Sequence, residues 1–355
     1  NLINLNFDKL NSNQKKIFQK ISINKKLNFN KIINKKINEK IVVFGDLIID
    51  IFIFTHSLGK SRKSNILSTR YQNTEKYDGG SLMILKILKD YFKNIYFLTC
   101  LNDQEYKMIK NKFKNLNIIN IKSKSNHIIN KTRFVDKYNL NKIFQINKND
   151  QIVLNKVDEK KIIYKIKDLS KKVSGMVITD FGHGLITEKI CKTINQAKVK
   201  KFINCQANSS NYGFNKYTKY KSAHVLSCDE DEFRLSLSAN YNELKKIIKE
   251  NINKFKNIKN MVVTSGKQGS YLIEKNNIDF VESLKINNMI DSIGCGDVYF
   301  AYLIIFNYLN KNKNLKNNEV MMLCHLAASL HSKNFANSKI IDKDKFIKGF
   351  KSISA

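Results

Sequence analysis

The chain has 355 residues, 42% of them apolar, enough for one large core and inconsistent with a disordered polymer. Its formal charge of +33 is spread through every segment, and Lys, Asn and Ile abound while Pro and Trp are absent, the imprint of an A/T-biased genetic code; the charge reads as solvated surface and no nucleic-acid partner is expected. No apolar run approaches the ~20 residues of a membrane helix, no secretory core opens the chain, and six scattered cysteines lack C-x-x-C pairing, so a cytoplasmic protein with reduced thiols and no membrane partner is expected.

Residues 1 to 38 are Asn- and Lys-rich with weak apolar periodicity (Ile17, Ile21, Ile23, Leu27) and read as helical. Lys40 to Asp46 holds the run Ile41-Val42-Val43-Phe44, the pattern of a parallel strand buried on both faces. Residues 51 to 77 alternate apolar and polar side chains and predict a β-ribbon, as do 131 to 147. Between the ribbons come a helix opened by Gly79-Gly80 (79 to 92), a strand (Ile95 to Leu101) and a helix (103 to 115). From Met176 strands are predicted at Met176 to Thr179, Lys201 to Asn204, Ala223 to Ser227 and Asn260 to Ser265, with helices at 187 to 199, 229 to 237 and 241 to 256. A strand pair at 270 to 282 and helices at 297 to 310, 317 to 333 and 343 to 353 complete the chain. This alternation predicts an α/β fold, a doubly wound, mainly parallel sheet flanked by helices. The two ribbons do not fit inside that sheet and are assigned to a small β lid over its edge.

Only 13 glycines are present, so each glycine turn marks backbone that needs positive φ or close ligand approach. The most informative run is Asp291-Ser292-Ile293-Gly294-Cys295-Gly296-Asp297, leading into an apolar helix. Its glycines uncover backbone amides, the helix adds the positive end of its dipole, and Asp297 is placed to accept the proton of an attacking hydroxyl. A strand-to-helix turn with a capping Asp fits the same residues. Gly45-Asp46-x-x-x-Asp50 lies at the end of the first strand, where open α/β sheets place ligands, although solvated strand-end acids would look alike. Gly79 and Gly80 can present amides, and Arg133, in Lys131-Thr132-Arg133, can pair with a phosphate or merely coat a surface. Asp180-Phe181-Gly182-His183-Gly184 is a strand-end Asp followed by Gly-x-Gly; it spells a protein-kinase metal motif but lacks the accompanying loops. Asp229 and Glu232 share a helix face and suit either Mg²⁺ or helix capping. Thr264-x-Gly266-x-x-Gly269 follows a strand and can admit an adenine nucleotide, or form a hairpin turn. The six histidines have no zinc spacing.

Taken in this order, over roughly residues 40 to 350, these stretches resemble the ribokinase/PfkB family of sugar kinases, whose Asp-Thr-x-Gly-Ala-Gly-Asp signature corresponds to residues 291 to 297 with Ser292 and Cys295 as small replacements. The resemblance implies a ribokinase-like fold, a phosphotransferase acting on a sugar hydroxyl, and ATP with Mg²⁺. It assigns Asp297 as catalytic base, with the amides from Gly294 through Cys295 to Gly296 holding the phosphoryl group. It gives Asp50, Gly79, Gly80, Arg133 and Asp180 to the acceptor, Thr264, Gly266 and Gly269 to the nucleotide, and Asp229 and Glu232 to the metal. The family's Asn after the Gly-Gly pair is missing; Met83 and Ile84 stand there. Residues 45 to 50, 131 to 136 and 178 to 185 look most like the heptose 7-phosphate kinase branch, implying a sugar phosphate acceptor in nucleotide-sugar synthesis. Asn204 to Phe214 and the leading segment are similar to a subgroup in which the kinase is joined to a nucleotidyltransferase. Residues 1 to 38 would then be a linker or the tail of a preceding domain and 39 to 355 the kinase, with a homodimer through the lid a further expectation. A catalytically degenerate nucleotide- or partner-binding module, a kinase for a simple hexose or nucleoside, and a nucleic-acid binder stay open.

Overall fold

The structure, a computed structural model, describes residues 10–24, 29–239, 242–285, 289–312 and 314–354. Helices α1 (Ser12–Ile23) and α2 (Phe29–Asn34) precede strand β1 (Ile37–Gly45), which gives way at Asp46 to a long hairpin, β2 (Leu47–Lys60) and β3 (Leu67–Gly80). Then come α3 (Ser81–Leu88), β4 (Phe92–Leu101), α4 (Asp103–Lys112), β5 (Asn117–Lys122), β6 (Ile128–Asp136), β7 (Lys142–Lys148) and α5 (Lys156–Ser170). The second half holds β8 (Gly175–Asp180), α6 (Glu188–Gln196), β9 (Lys200–Cys205), β10 (Ala223–Asp229), α7 (Glu230–Leu237), α8 (Leu244–Asn251) and β11 (Ile258–Ser265). It closes with β12 (Gly269–Glu274), β13 (Asn277–Glu282), α9 (Cys295–Leu309), α10 (Asn317–His331) and α11 (Lys343–Ser354).

Nine strands form the main sheet in the order β13-β12-β11-β10-β9-β8-β1-β4-β5. All pairings from β11 to β5 are parallel, and β12 and β13 add an antiparallel edge. Strand β1 shows why its apolar run was continuous. Ile41 and Val43 face one helical layer with α3, α9 and α10, while Val42 and Phe44 face the other with α5 and α6, all four nearly inaccessible. The chain winds outward from β1 in both directions, so the strand order reverses at the β1/β8 seam. At such a switch point diverging crossovers leave a crevice outside the carboxyl ends of the strands.

The second sheet, β3-β2-β6-β7, is the lid. Strands β2 and β6 run parallel, and each has an antiparallel partner. Its inner face sets Phe52, Phe54 and Val135 against Ala336, with Tyr77, Ile293 and Phe335 around them.

Three expectations differ from the fold. Asp50 lies four residues inside lid strand β2, because the chain leaves the main sheet already at Asp46. Strand β5 and helix α5 were not foreseen: Asn117-Ile-Ile-Asn-Ile-Lys122 is short and half polar, and α5 is lysine-rich with only Ile162, Ile166 and Leu169 as deeply buried apolar positions. Helices α1 and α2 do not behave as a linker, which would leave apolar side chains in water. Phe18, Ile21, Phe29 and Ile33 are buried in the main core, with the Phe29 and Phe350 ring centres 4.2 Å apart. Each such side chain contributes roughly 1.5–3 kcal/mol of burial free energy.

Candidate active site

The crevice at the β1/β8 seam is floored by buried acids. Asp46 Oδ2 accepts from the amides of Phe181 (2.9 Å) and His183 (3.4 Å), while its Oδ1 has no hydrogen-bond partner. Burial, reinforced by the nearby Asp180 charge, raises the Asp46 pKa to about 7. Asp180 closes the strand-end turn. Its Oδ1 accepts from the Gly182 amide (3.0 Å) and Asn215 (3.2 Å), and its Oδ2 from Tyr220 (2.6 Å) and Lys219 (2.5 Å). These internal partners give Asp180 a structural role in the turn and leave little of its carboxylate for a sugar.

From above, the lid lowers Asp50, Lys131 and Arg133 toward the seam. Asp50 is opposite Lys131 in the β2/β6 register, and Arg133, two residues on, shares that face. Arg133 Nη1 binds Asp50 Oδ1 at 2.5 Å, and its guanidinium lies 5.4 Å from the Phe52 ring centre. The arginine expected to meet a phosphate is thus already engaged by Asp50. Lys131 has no hydrogen bond or ion pair among the described residues; its Nζ is 5.9 Å from the Phe181 ring centre. Burial lowers its pKa, against the charges of Asp50, Asp46 and Asp297. Gly79 and Gly80 end β3 beside Asp50. A Cβ on Gly79 would fall 2.5 Å from Asp50 Oδ2, so the carboxylate can sit there only because residue 79 has no side chain. Met83 and Ile84, which replace the missing Asn, are fully buried on α3 and face the core.

The third wall is the turn into α9. Gly294 is its N-cap with φ 81°, a left-handed conformation that L side chains adopt at a cost. A Cβ there would lie 2.1 Å from Asn337 Oδ1. The Cys295 amide donates to Ser292 O at 3.1 Å, so it closes the turn, which leaves the following first-turn amides of Gly296 and Asp297 to meet an anion. A Cβ on Gly296 would have only Gln206 Nε2 nearby, at 4.0 Å. Asp297 is buried, and its Oδ1 accepts from Asn204 Nδ2 (3.3 Å) and Gln206 Nε2 (3.2 Å). Burial first, then the charge of Asp50, raises its pKa to about 7, against the lowering effect of Gln206, Lys131 and Asn204. A carboxylate with that pKa, on the same first turn as the open amides, can take a proton from a hydroxyl near neutral pH.

A cavity of about 520 Å³ opens onto the same turn. Thr264, Gly266 and Gly269 line one side, Cys295 and Gly296 another, and Leu284, Met289 and Ala328 supply apolar surface. The glycine loop and the α9 turn, separate in sequence, therefore share one space. Asp229 and Glu232 form a capping box on α7: Glu232 N donates to Asp229 Oδ1 (2.8 Å), and Asp229 N to Glu232 Oε2 (2.7 Å). Glu232 Oε1 also accepts the Ala207 amide at 2.9 Å. Burial and the adjacent Asp229 push Glu232 up to about 8. Among the described residues no group of three or more His, Cys, Asp or Glu is arranged to hold a metal.

Sequence reasoning missed Asn204, Gln206, Asp46 and Lys131 as site residues. Asp46 and Lys131 stood inside motifs already singled out, and their neighbours drew the attention. Asn204 and Gln206 lay in the segment 204 to 214, singled out only for its likeness to the joined subgroup; their part at Asp297 carried no local signal, since only the position of β9 in the sheet brings them there.

A buried acid of near-neutral pKa and a helix start with open amides, next to a nucleotide-sized cavity, suit a small-molecule phosphotransferase. A family model described as the pfkB family carbohydrate kinase matches residues 38–317. The chain belongs to that family, phosphotransferases with an alcohol group as acceptor. Ribokinase of Thermotoga maritima shares the fold at a TM-score of 0.67 and 15% identity, over 88% of this chain and 99% of that one. Arabidopsis thaliana ribokinase, solved with ribose and ATP, gives 0.65 at 14%, over 88% and 99%. The bifunctional protein HldE of Campylobacter curvus is 24% identical over 300 residues, and that of Aliarcobacter butzleri 23% over 319. These matches cover 82% and 84% of this chain but 61% of each relative, so the chain spans about three-fifths of their length. Among the described residues no helix is long and apolar enough to cross a membrane.

Proposed function

We propose that the chain transfers the γ-phosphoryl group of ATP to a hydroxyl of a sugar phosphate, with heptose 7-phosphate the first candidate. The observation that carries this reading is Asp297: a buried carboxylate near neutral pKa, at the open start of α9, between the nucleotide-sized cavity and the lid carboxylate Asp50. In the mechanism the acceptor hydroxyl hydrogen-bonds to Asp50, and Asp297, steered by Asn204 and Gln206, takes its proton as the oxygen attacks. The amides of Gly296 and Asp297 face the charge that develops on the transferring group. Thr264, Gly266 and Gly269 border the adenine nucleotide, a group the Arabidopsis ribokinase structure also holds. Magnesium, when bound with ATP, neutralises phosphate charge. With Asp229 and Glu232 engaged by amides, those two acids suit contact through water rather than direct ligation.

Support for the heptose acceptor comes from the two HldE relatives and from Lys131, the uncommitted cation of the lid face. The pairing of Arg133 with Asp50 favours a second reading, an unphosphorylated sugar acceptor. The part of each HldE relative beyond the match supports a joined or partner nucleotidyltransferase. An outer lid strip of Ile53, Phe134, Phe144 and Ile146, the last two more than half exposed, supports a homodimer through the lid.

The deciding experiment measures ADP release with heptose 7-phosphate, the unphosphorylated heptose and a sugar panel. Preference for the phosphorylated heptose is expected. Equal rates for the matched pair would shift the reading to a simple sugar, and no acceptor-dependent ADP would remove the kinase activity.

A further inference from the structure

The side chain of Asp291, which opens the glycine turn, is 3% exposed, and its hydrogen bonds reach three parts of the molecule. Oδ1 accepts from the Ile293 amide at 3.2 Å, inside the turn itself. Oδ2 accepts from the Ala336 amide at 3.2 Å, in the loop after α10. The cation on this carboxylate comes from the lid: Lys142 Nζ, on the first residue of β7, is 2.8 Å from Oδ1. Beside this ion pair, Ile293 packs against the cluster of Phe52, Phe54, Val135 and Ala336 that docks the lid. Ile293 immediately precedes Gly294, whose carbonyl takes the first bond of α9 from Val298 at 3.0 Å. His331 Nε2 is 3.0 Å from Ile293 O, which fixes the same residue from the other side.

We propose that Lys142 is a positioning residue for phosphoryl transfer: its ion pair with Asp291 ties the docked lid to the turn that presents the α9 amides and Asp297. A buried carboxylate left without its cation is unfavourable, so loss of the lysine loosens Asp291 and with it the bond to Ile293. The lid carries Asp50, the proposed acceptor acid, and this link sets the turn only when the acceptor side is in place. Such coupling restricts transfer of the phosphoryl group to water when the lid is open.

The test compares Lys142→Met, Lys142→Arg and wild type in the whole chain. Hydrogen–deuterium exchange is read without substrate at the Asp291, Ile293 and Cys295 amides, which are bonded to Ser332 O, Asp291 Oδ1 and Ser292 O. Lys142→Met is expected to speed exchange there, leave the β1 and β8 amides protected, and keep ADP affinity within about twofold. Its turnover with heptose 7-phosphate should fall roughly tenfold to a hundredfold, with the KM for ATP little changed and a larger share of ATP hydrolysed without transfer. Lys142→Arg should restore most of both effects. Unchanged exchange at 291–297 in Lys142→Met, or exchange raised equally across the sheet, would overturn the inference. Raised exchange confined to the turn with no turnover of any acceptor supports the tie between lid and turn and counts against the proposed kinase reading on which the positioning role rests.

Discussion

Replacing Asp297 by Asn separates chemistry from stability, because one carboxylate serves both. Folding raises its pKa from 3.8 to about 7, chiefly by burial. Between those values the folded form holds a proton that the unfolded form releases. The stability this contributes is fully present below about pH 3.8 and is lost as the pH rises through about 7. At 1.36 kcal/mol per pH unit the difference amounts to at most about 4 kcal/mol. Asn keeps an oxygen for Asn204 and Gln206 and does not titrate. Asp297→Asn should therefore match wild type near pH 4 and become progressively more stable than it up to pH 8, measured by thermal or urea unfolding across that range. In the same variant turnover should drop about 10²-fold or more, with nucleotide affinity nearly intact. In wild type kcat/KM for the acceptor should climb about tenfold per pH unit below 7 and level off above it. Near-normal turnover in the variant, or a stability gap that does not widen with pH, would refute the placement of Asp297 as a buried base.

Gly79→Ala would push a Cβ to 2.5 Å from Asp50 Oδ2; about a tenfold rise in acceptor KM with an unchanged KM for ATP is expected, and steady-state kinetics for both substrates check it. Glu232→Gln leaves one of the Asp229 and Ala207 amides without its acceptor, a loss of about 1 kcal/mol in unfolding free energy. The same change should raise the magnesium concentration for half-maximal rate, and an identical magnesium titration would confine Glu232 to capping.

The parallel sheet was legible because strands buried on both faces, such as Ile41 to Phe44, need unbroken apolar runs. The glycine turns were legible because glycine is otherwise scarce in this chain. What escaped was whatever depended on distant chain segments meeting. Gln206 reaches Asp297 only because β9 lies next to β8, and the cavity proposed for the nucleotide joins residues 264–269 to 325–332 through the packing of α9 and α10. Arg133 was visible as a lid cation, but its partner was not, since a parallel pairing of β2 with β6 leaves no sequence spacing to read. The acids at 229 and 232 matched two chemistries, and their place in so basic a chain favoured the metal over capping. The short reciprocal bonds of the capping box show what they do in the structure, a distinction the i, i+3 spacing cannot carry.

Strand β1 is bonded to β4 on one edge and to β8 on the other, with Ile41 beside both Ile95 and Gly175. The first pairing becomes available early as the chain emerges from the ribosome, whereas the second must wait until residues 175–180 have been made, leaving one edge of β1 unsatisfied for much of synthesis. Long-range parallel pairing of this kind folds slowly, because a long loop is ordered before any contact repays it. The chain contains no proline, so prolyl isomerisation, with its relaxation of ~10–100 s, has no part in that delay. That wait is topological and lies at the seam that floors the candidate site, where β1 has no second neighbour until β8 is made.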